Sequence, residues 1–197
     1  MSVRGEALAL VVAPGLGVGL ASADGARSVA SRDPLSVVAE LEAQAPRWVW
    51  WNARGHAAAL VEGGIRPRAC WDLGAVSRLL YGAWREDEGA VWALHRGLEI
   101  PPEAEGELSL LDLAGESDDA VRADGQLSRE WLRGSWARDL DAARTWAALA
   151  LQVQQEQERL VAGQPHPQIA LLERVGKLRL AAEVARGAVS LPRPAWS

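Results

Sequence analysis

Apolar residues along this chain switch repeatedly between a strand-like and a helix-like spacing. Residues Ala7 to Ala13 (ALALVVA) form a short Leu- and Val-rich run that reads as a buried strand. After Pro14-Gly15, the stretch GVGLASADG reads as its antiparallel return, which places a hairpin at the start. Asp33-Pro34 supplies an N-cap and a first-position proline, and LSVVAELEAQA keeps helical spacing until Pro46 stops it. Arg47 to Asn52 (RWVWWN) is short and dense in β-formers, so it reads as a buried strand ending at Asn52. A turn over Ala53 to Gly55 leads into HAAALVEGG, a helix closed by Gly63-Gly64. IRPRACWD then reads as a strand ending at Asp72, and LGAVSRLLYG as a helix with Leu73, Val76, Leu79 and Leu80 on one face. Residues 88–98 (EGAVWALHRGL) add another helix before Pro101-Pro102.

This alternation predicts an α/β fold in which helices cover a sheet with parallel members. From Pro101 to about Gly125 the chain is rich in Pro, Glu, Asp and Gly and reads as an acidic loop. A capping-box pattern at Ser128 that lacks its acid, with Trp131 in that place and Glu130 nearby, precedes a long helix expected from about Ser135 to Val161, ended by Gly163, Pro165 and Pro167. IALLERVGKLRLAAEVARG again carries apolar residues at helical spacing, up to Gly187, as a helix meant to pack on something. The expected organisation is one domain over 1–163, with its acidic loop at 101–125, and a helical extension or linker over 164–197 leading to something larger.

Composition narrows the function classes. A length of 197 residues suits one domain with an appendage. Lys177 is the one lysine, while there are ten Trp, one Tyr and no Phe, a bias that G+C-rich codons produce. A net charge of −5 argues against a surface built wholly to neutralise nucleic-acid phosphates, though a local basic groove stays open. The single cysteine, Cys70, excludes an intramolecular disulfide and a Cys-rich metal site. The N-terminal apolar stretch is too short for a membrane span and lacks a signal-peptide cleavage pattern, so no membrane partner and a cytoplasmic location are expected.

Several motifs offer little chemistry on their own. GLGVG (residues 15–19) has the wrong glycine spacing for a phosphate loop and no helix directly after it, so it reads as turn and strand. No Ser or Cys occupies a nucleophile-elbow context. His95 and His166 are distant from His56, which leaves no histidine pair with ligand spacing. Trp48, Trp50 and Trp51 belong to a predicted buried strand, while Trp84, Trp92 and Trp136 remain candidates for stacking on single-stranded bases.

The order of elements brings a more specific likeness. WVWWNARGHAAALVEGGIRPRACWDLGAVSRLLYG, residues 48–82, and ARDLDAARTWAAL, residues 137–149, resemble the second and third motifs of the 3′ to 5′ exonuclease domain that precedes family A DNA polymerases. The resemblance rests on Asn52, Gly64-Ile65, Asp72-Leu73, and then Asp141, Ala142 and Thr145, with Ala137 where that family has Tyr. It implies a ribonuclease H-like mixed sheet flanked by helices, with a C-terminal helical extension.

Such an exonuclease holds two divalent metals on four carboxylates, which activate water and stabilise the leaving oxygen. Here ALALVVAPGLGVGL carries no acid on the expected first strand, and His56 stands where the second motif has Asp. Of the positions Asn52, His56, Asp72 and Asp141, only Asp141 keeps a metal-ligating acid where the family has one. For Asp141 the bland alternative is a helix first-turn acid, and for Asp72 a helix N-cap.

The leading expectation is therefore a degenerate exonuclease-like module with no cofactor, which orients a polymerase module in cis or trans, with DNA contact possible. The second is an active nuclease using Mg²⁺ or Mn²⁺ through converging Asp24, Asp72, Asp139 and Asp141. The third is a stand-alone protein-interaction domain unrelated to DNA.

Overall fold

The computed structural model describes residues 5–53, 59–102 and 118–162. Three strands open the chain: β1 (Ala7–Ala13), β2 (Gly17–Ser22) and β3 (Gly25–Ala30). Helix α1 (Pro34–Glu42) leads to β4 (Arg47–Trp50), and after helical residues 59–62 comes β5 (Ala69–Asp72). Helices α2 (Leu73–Tyr81), α3 (Glu88–Arg96), the single turn α4 (Arg129–Leu132), a 3-10 turn (Ser135–Ala137) and the long α5 (Leu140–Ala162) follow.

The strand order is β3-β2-β1-β4-β5. β2 is antiparallel to both β1 and β3, whereas β1, β4 and β5 run parallel. This is an α/β fold, a mixed five-stranded sheet flanked by helices in a ribonuclease H-like arrangement, with α5 as its closing described helix. The expected extension over 164–197 lies outside the described residues.

Three local expectations need correction. The hairpin continues into a third strand: GARSVA carries Arg27 and Ser28 at the exposed sheet edge and so lacks the apolar signature of a core strand. β5 begins at Ala69 rather than Ile65, because Ile65 still caps the preceding helical turn through Leu60 and Pro67 has no N–H for a ladder. The long helix starts at Leu140, not near Ser135: Gly134 turns left-handed (φ 103) after α4, and the Asp139 carboxylate then caps α5 through Ala142 N–H at 2.7 Å.

The two faces of the sheet bury different cores. Ala9, Val11 and Ala13 of β1, Ala21 of β2 and Val49 of β4 share one core with Ala142, Ala143, Trp146, Ala147 and Ala150 of α5. The alternate positions, Leu10, Val18, Leu20, Trp48 and Trp50, pack with Val38 of α1, Leu60 and Cys70 on the other face. At Gly19 of β2 a Cβ would lie 2.2 Å from the Ala143 carbonyl, so the α5 backbone rests directly on the strand. On the opposite face, Trp48 donates its indole N–H to Glu42 at 2.6 Å, and the other Glu42 oxygen accepts Arg68 N–H.

Candidate functional site

In open α/β sheets, ligands gather beyond the carboxyl ends of parallel strands. Here that edge is formed by the ends of β1, β4 and β5, at Ala13, Trp50 and Asp72. The structure brings Asn52 and Asp72 to it together. Gly74 N–H donates to the Trp51 carbonyl, and the Ala53 N–H donates to Asp72 Oδ2, both at 3.0 Å. Asp72 Oδ1 accepts Ala75 N–H at 2.9 Å, so each oxygen of this buried carboxylate already holds backbone, one tying the β4 loop and the other capping α2.

Asn52 donates its amide to Glu88 Oε1 at 3.0 Å, a contact that no motif announces. Glu88 lies in the first turn of α3, where burial pushes its carboxyl above the usual range, with neighbouring Asp87 adding to the rise. Asp87 itself loses solvent, yet Arg85 and the Ala90 N–H hold it below the usual range.

Asp141 is handled differently. It sits on the exposed first turn of α5 and pairs with Arg144 at 3.3 Å, while its carbonyl accepts the Thr145 hydroxyl. His56 lies outside the described residues. Asp139 caps α5, and Asp24 lies in the β2–β3 turn beside a cavity of about 250 Å³ lined also by Glu6, Ser22 and Arg27. That cavity touches Ala7 and Leu8 at the beginning of β1, whereas Asp72 stands at the end of β5. Among the described residues no three His, Cys, Asp or Glu side chains converge as metal ligands.

Indoles occupy the junction between the end of β4 and the start of α5. Trp51 packs on Trp146 with centroids 4.9 Å apart, and Trp146 packs on Trp131 of α4 at 5.8 Å. Trp131 is fixed by its N–H to the Asp118 carbonyl at 3.1 Å and by the Arg138 guanidinium over its ring. Of the tryptophans left open as base-stacking candidates, Trp92 is buried with its N–H on the Gly125 carbonyl, Trp136 is partly buried against the core, and Trp84 is exposed.

A second polar cluster joins α2, α3 and α5. The donor-only indole of Trp71 points at Gln157 Oε1, 2.7 Å away, which obliges the Gln157 amide nitrogen to donate. That nitrogen lies 2.9 Å from the Leu73 carbonyl and 3.0 Å from both Ser77 Oγ and His95 Nε2. His95 Nε2 also lies 3.1 Å from Ser77 Oγ, and its Nδ1 lies 3.3 Å from the Tyr81 hydroxyl, so both ring nitrogens have polar neighbours. Desolvation, aided by Arg96, pulls the His95 pKa from 6.5 down to about 4. Ser77 and Gln157 are both fully buried, so the cluster fastens helices rather than presenting a nucleophile. Its one sequence signal is Gln157 itself, which continues the buried stripe of Ala150, Val153 and Gln154 along α5.

No family model matches the chain, nor does any curated protein or solved structure.

Proposed function

We propose that this chain is a degenerate exonuclease-like module whose role is structural, orienting a polymerase module, in cis or in trans, along DNA. One observation carries the reading. The β1 positions that share a core with α5 are Ala9, Val11 and Ala13, and the neighbouring junction is filled by the Trp51–Trp146–Trp131 stack. In the resembling family, metal-binding carboxylates project from that strand. Apolar side chains offer a divalent cation no ligand, and a close-packed junction favours rigidity over substrate access.

The retained layout around Asn52, Asp72 and Asp141 supports descent from such a domain, and Asp72 and Asp141 have structural duties as helix cap and first-turn acid. The link to a polymerase and to DNA rests on the resemblance of residues 48–82 and 137–149.

Fluorescence anisotropy with labelled primer–template DNA tests the positioning role. Binding should weaken steeply as salt rises from about 50 to about 200 mM, because phosphate contacts release counterions. Failure to bind at the lower salt would leave the stand-alone interaction domain as the better reading.

A further inference from the structure

The cavity of about 250 Å³ beside Asp24 lies on the face of the sheet that α1 covers. Strand register puts it there. Leu10, Leu20 and Arg27 stand directly opposite one another across β1, β2 and β3, and side chains so paired share a face. Leu8 precedes Leu10 by two and points the same way. Leu41, at the end of α1, and Pro46 close one side. At the β2–β3 turn a Cβ built on Gly25 would meet nothing, so that side stays open.

Floor and rim differ in chemistry. Leu20 and Pro46 are buried, and Leu8 and Leu41 are half-buried against the same core, which makes the floor apolar. Glu6, Asp24 and Arg27 stand around it and form no ion pair among the described residues. Elsewhere on the surface neighbouring charges do pair, as Arg78 does with Glu86 and Arg122 with Asp124. Unpaired charges of both signs above an apolar floor complement a molecule that carries an ammonium, a carboxylate and a short apolar body. The volume falls just below the about 300–1,000 Å³ of drug-sized pockets, so it suits a ligand of roughly ten non-hydrogen atoms.

We propose that this cavity binds a free α-amino acid with an aliphatic side chain. Its carboxylate pairs with Arg27, its ammonium with Glu6 and Asp24, and its side chain rests on Leu8, Leu20 and Leu41. The site stands at the beginning of β1, away from the Asn52–Asp72 edge, and owes nothing to the exonuclease likeness.

Titration of the full ¹⁵N-labelled chain with L-leucine, followed by amide NMR shifts, tests this. Saturable shifts should centre on residues 20–27 and 41–46. N-acetyl-leucine, which lacks the ammonium, and leucinamide, which lacks the carboxylate, should each bind about tenfold or more weakly than leucine. Arg27→Gln, at the exposed sheet edge, should weaken leucine by a similar factor and leave leucinamide unchanged; the three-compound comparison on the native chain decides the matter should that variant fail to fold. Absence of saturable shifts up to about 10 mM leucine would overturn the proposal. So would shifts centred elsewhere, equal binding of the three compounds, or leucine affinity indifferent to Arg27→Gln.

Discussion

The two faces of the sheet are packed in opposite ways. Towards α1 the strands present Leu10, Val18, Leu20, Trp48 and Trp50, and the layers meet through large side chains. Towards α5 they present Ala9, Val11, Ala13, Gly19, Ala21 and Val49, and the helix answers with Ala142, Ala143, Ala147 and Ala150, so that at Gly19 backbone meets backbone. Large side chains can shift rotamers to absorb a change, while a helix resting on a strand has nothing soft to yield. The large groups on the α5 side are concentrated at the β4–α5 junction as the tryptophan stack, where the resembling family needs carboxylates and metals.

The sharpest way to break the contrast is Gly19→Val. Its Cβ alone would meet the Ala143 carbonyl at 2.2 Å, so a loss above about 4 kcal/mol, or failure to fold, is expected in chemical denaturation. Leu20→Ala, the next residue but facing α1, should cost less, about 2 to 4 kcal/mol, with α5 undisturbed. A milder outcome for Gly19→Val than for Leu20→Ala would reverse the comparison.

Trp146→Ala removes the centre of the indole stack and should cost about 3 to 5 kcal/mol by the same measurement. Near-ultraviolet circular dichroism should lose the part of its signal that comes from coupling of Trp146 with Trp51 and Trp131.

A smaller effect is expected from the helix-fastening cluster. The folded His95 ring titrates at about 4 and the unfolded ring near 6.5, so between those values the unfolded chain binds more protons. Stability should therefore fall as pH drops from 6.5 towards 4, by about 1 to 2 kcal/mol once screening of the partly buried ring is allowed for. His95→Gln should flatten this part of the urea-midpoint profile; an unchanged slope would assign it elsewhere. The smallest expected change is a gain. Ala45 is held at φ 53 just past α1 by its own N–H on the Glu42 carbonyl and by Gly5 N–H on its carbonyl, and Ala45→Gly should stabilise by about 0.5 kcal/mol.

The sheet was largely legible because its inner strands are short apolar runs bounded by clear stops, such as Pro14-Gly15 after β1 and the Asp72 cap after β5. β3 was not, because an edge strand facing solvent needs no apolar alternation. The placement of Asn52 beside Asp72 followed from strand ends that parallel pairing must bring to one edge. Glu88 was invisible: a glutamate in a helix first turn looks like an ordinary dipole partner, and only tertiary burial against Asn52 sets it apart. The same holds for Gln157, His95 and Ser77, whose separation along the chain hides a contact made by three crossing helices.

The proposal that packing fills the position where the resembling family holds two metals meets its most direct test in a 5′-labelled single strand incubated with the protein and Mg²⁺ or Mn²⁺. The account predicts no shortening of the strand at any metal concentration, with identical results for the native chain and Asp141→Ala. Metal-dependent removal of 3′ nucleotides by the native chain, abolished in Asp141→Ala, would contradict it.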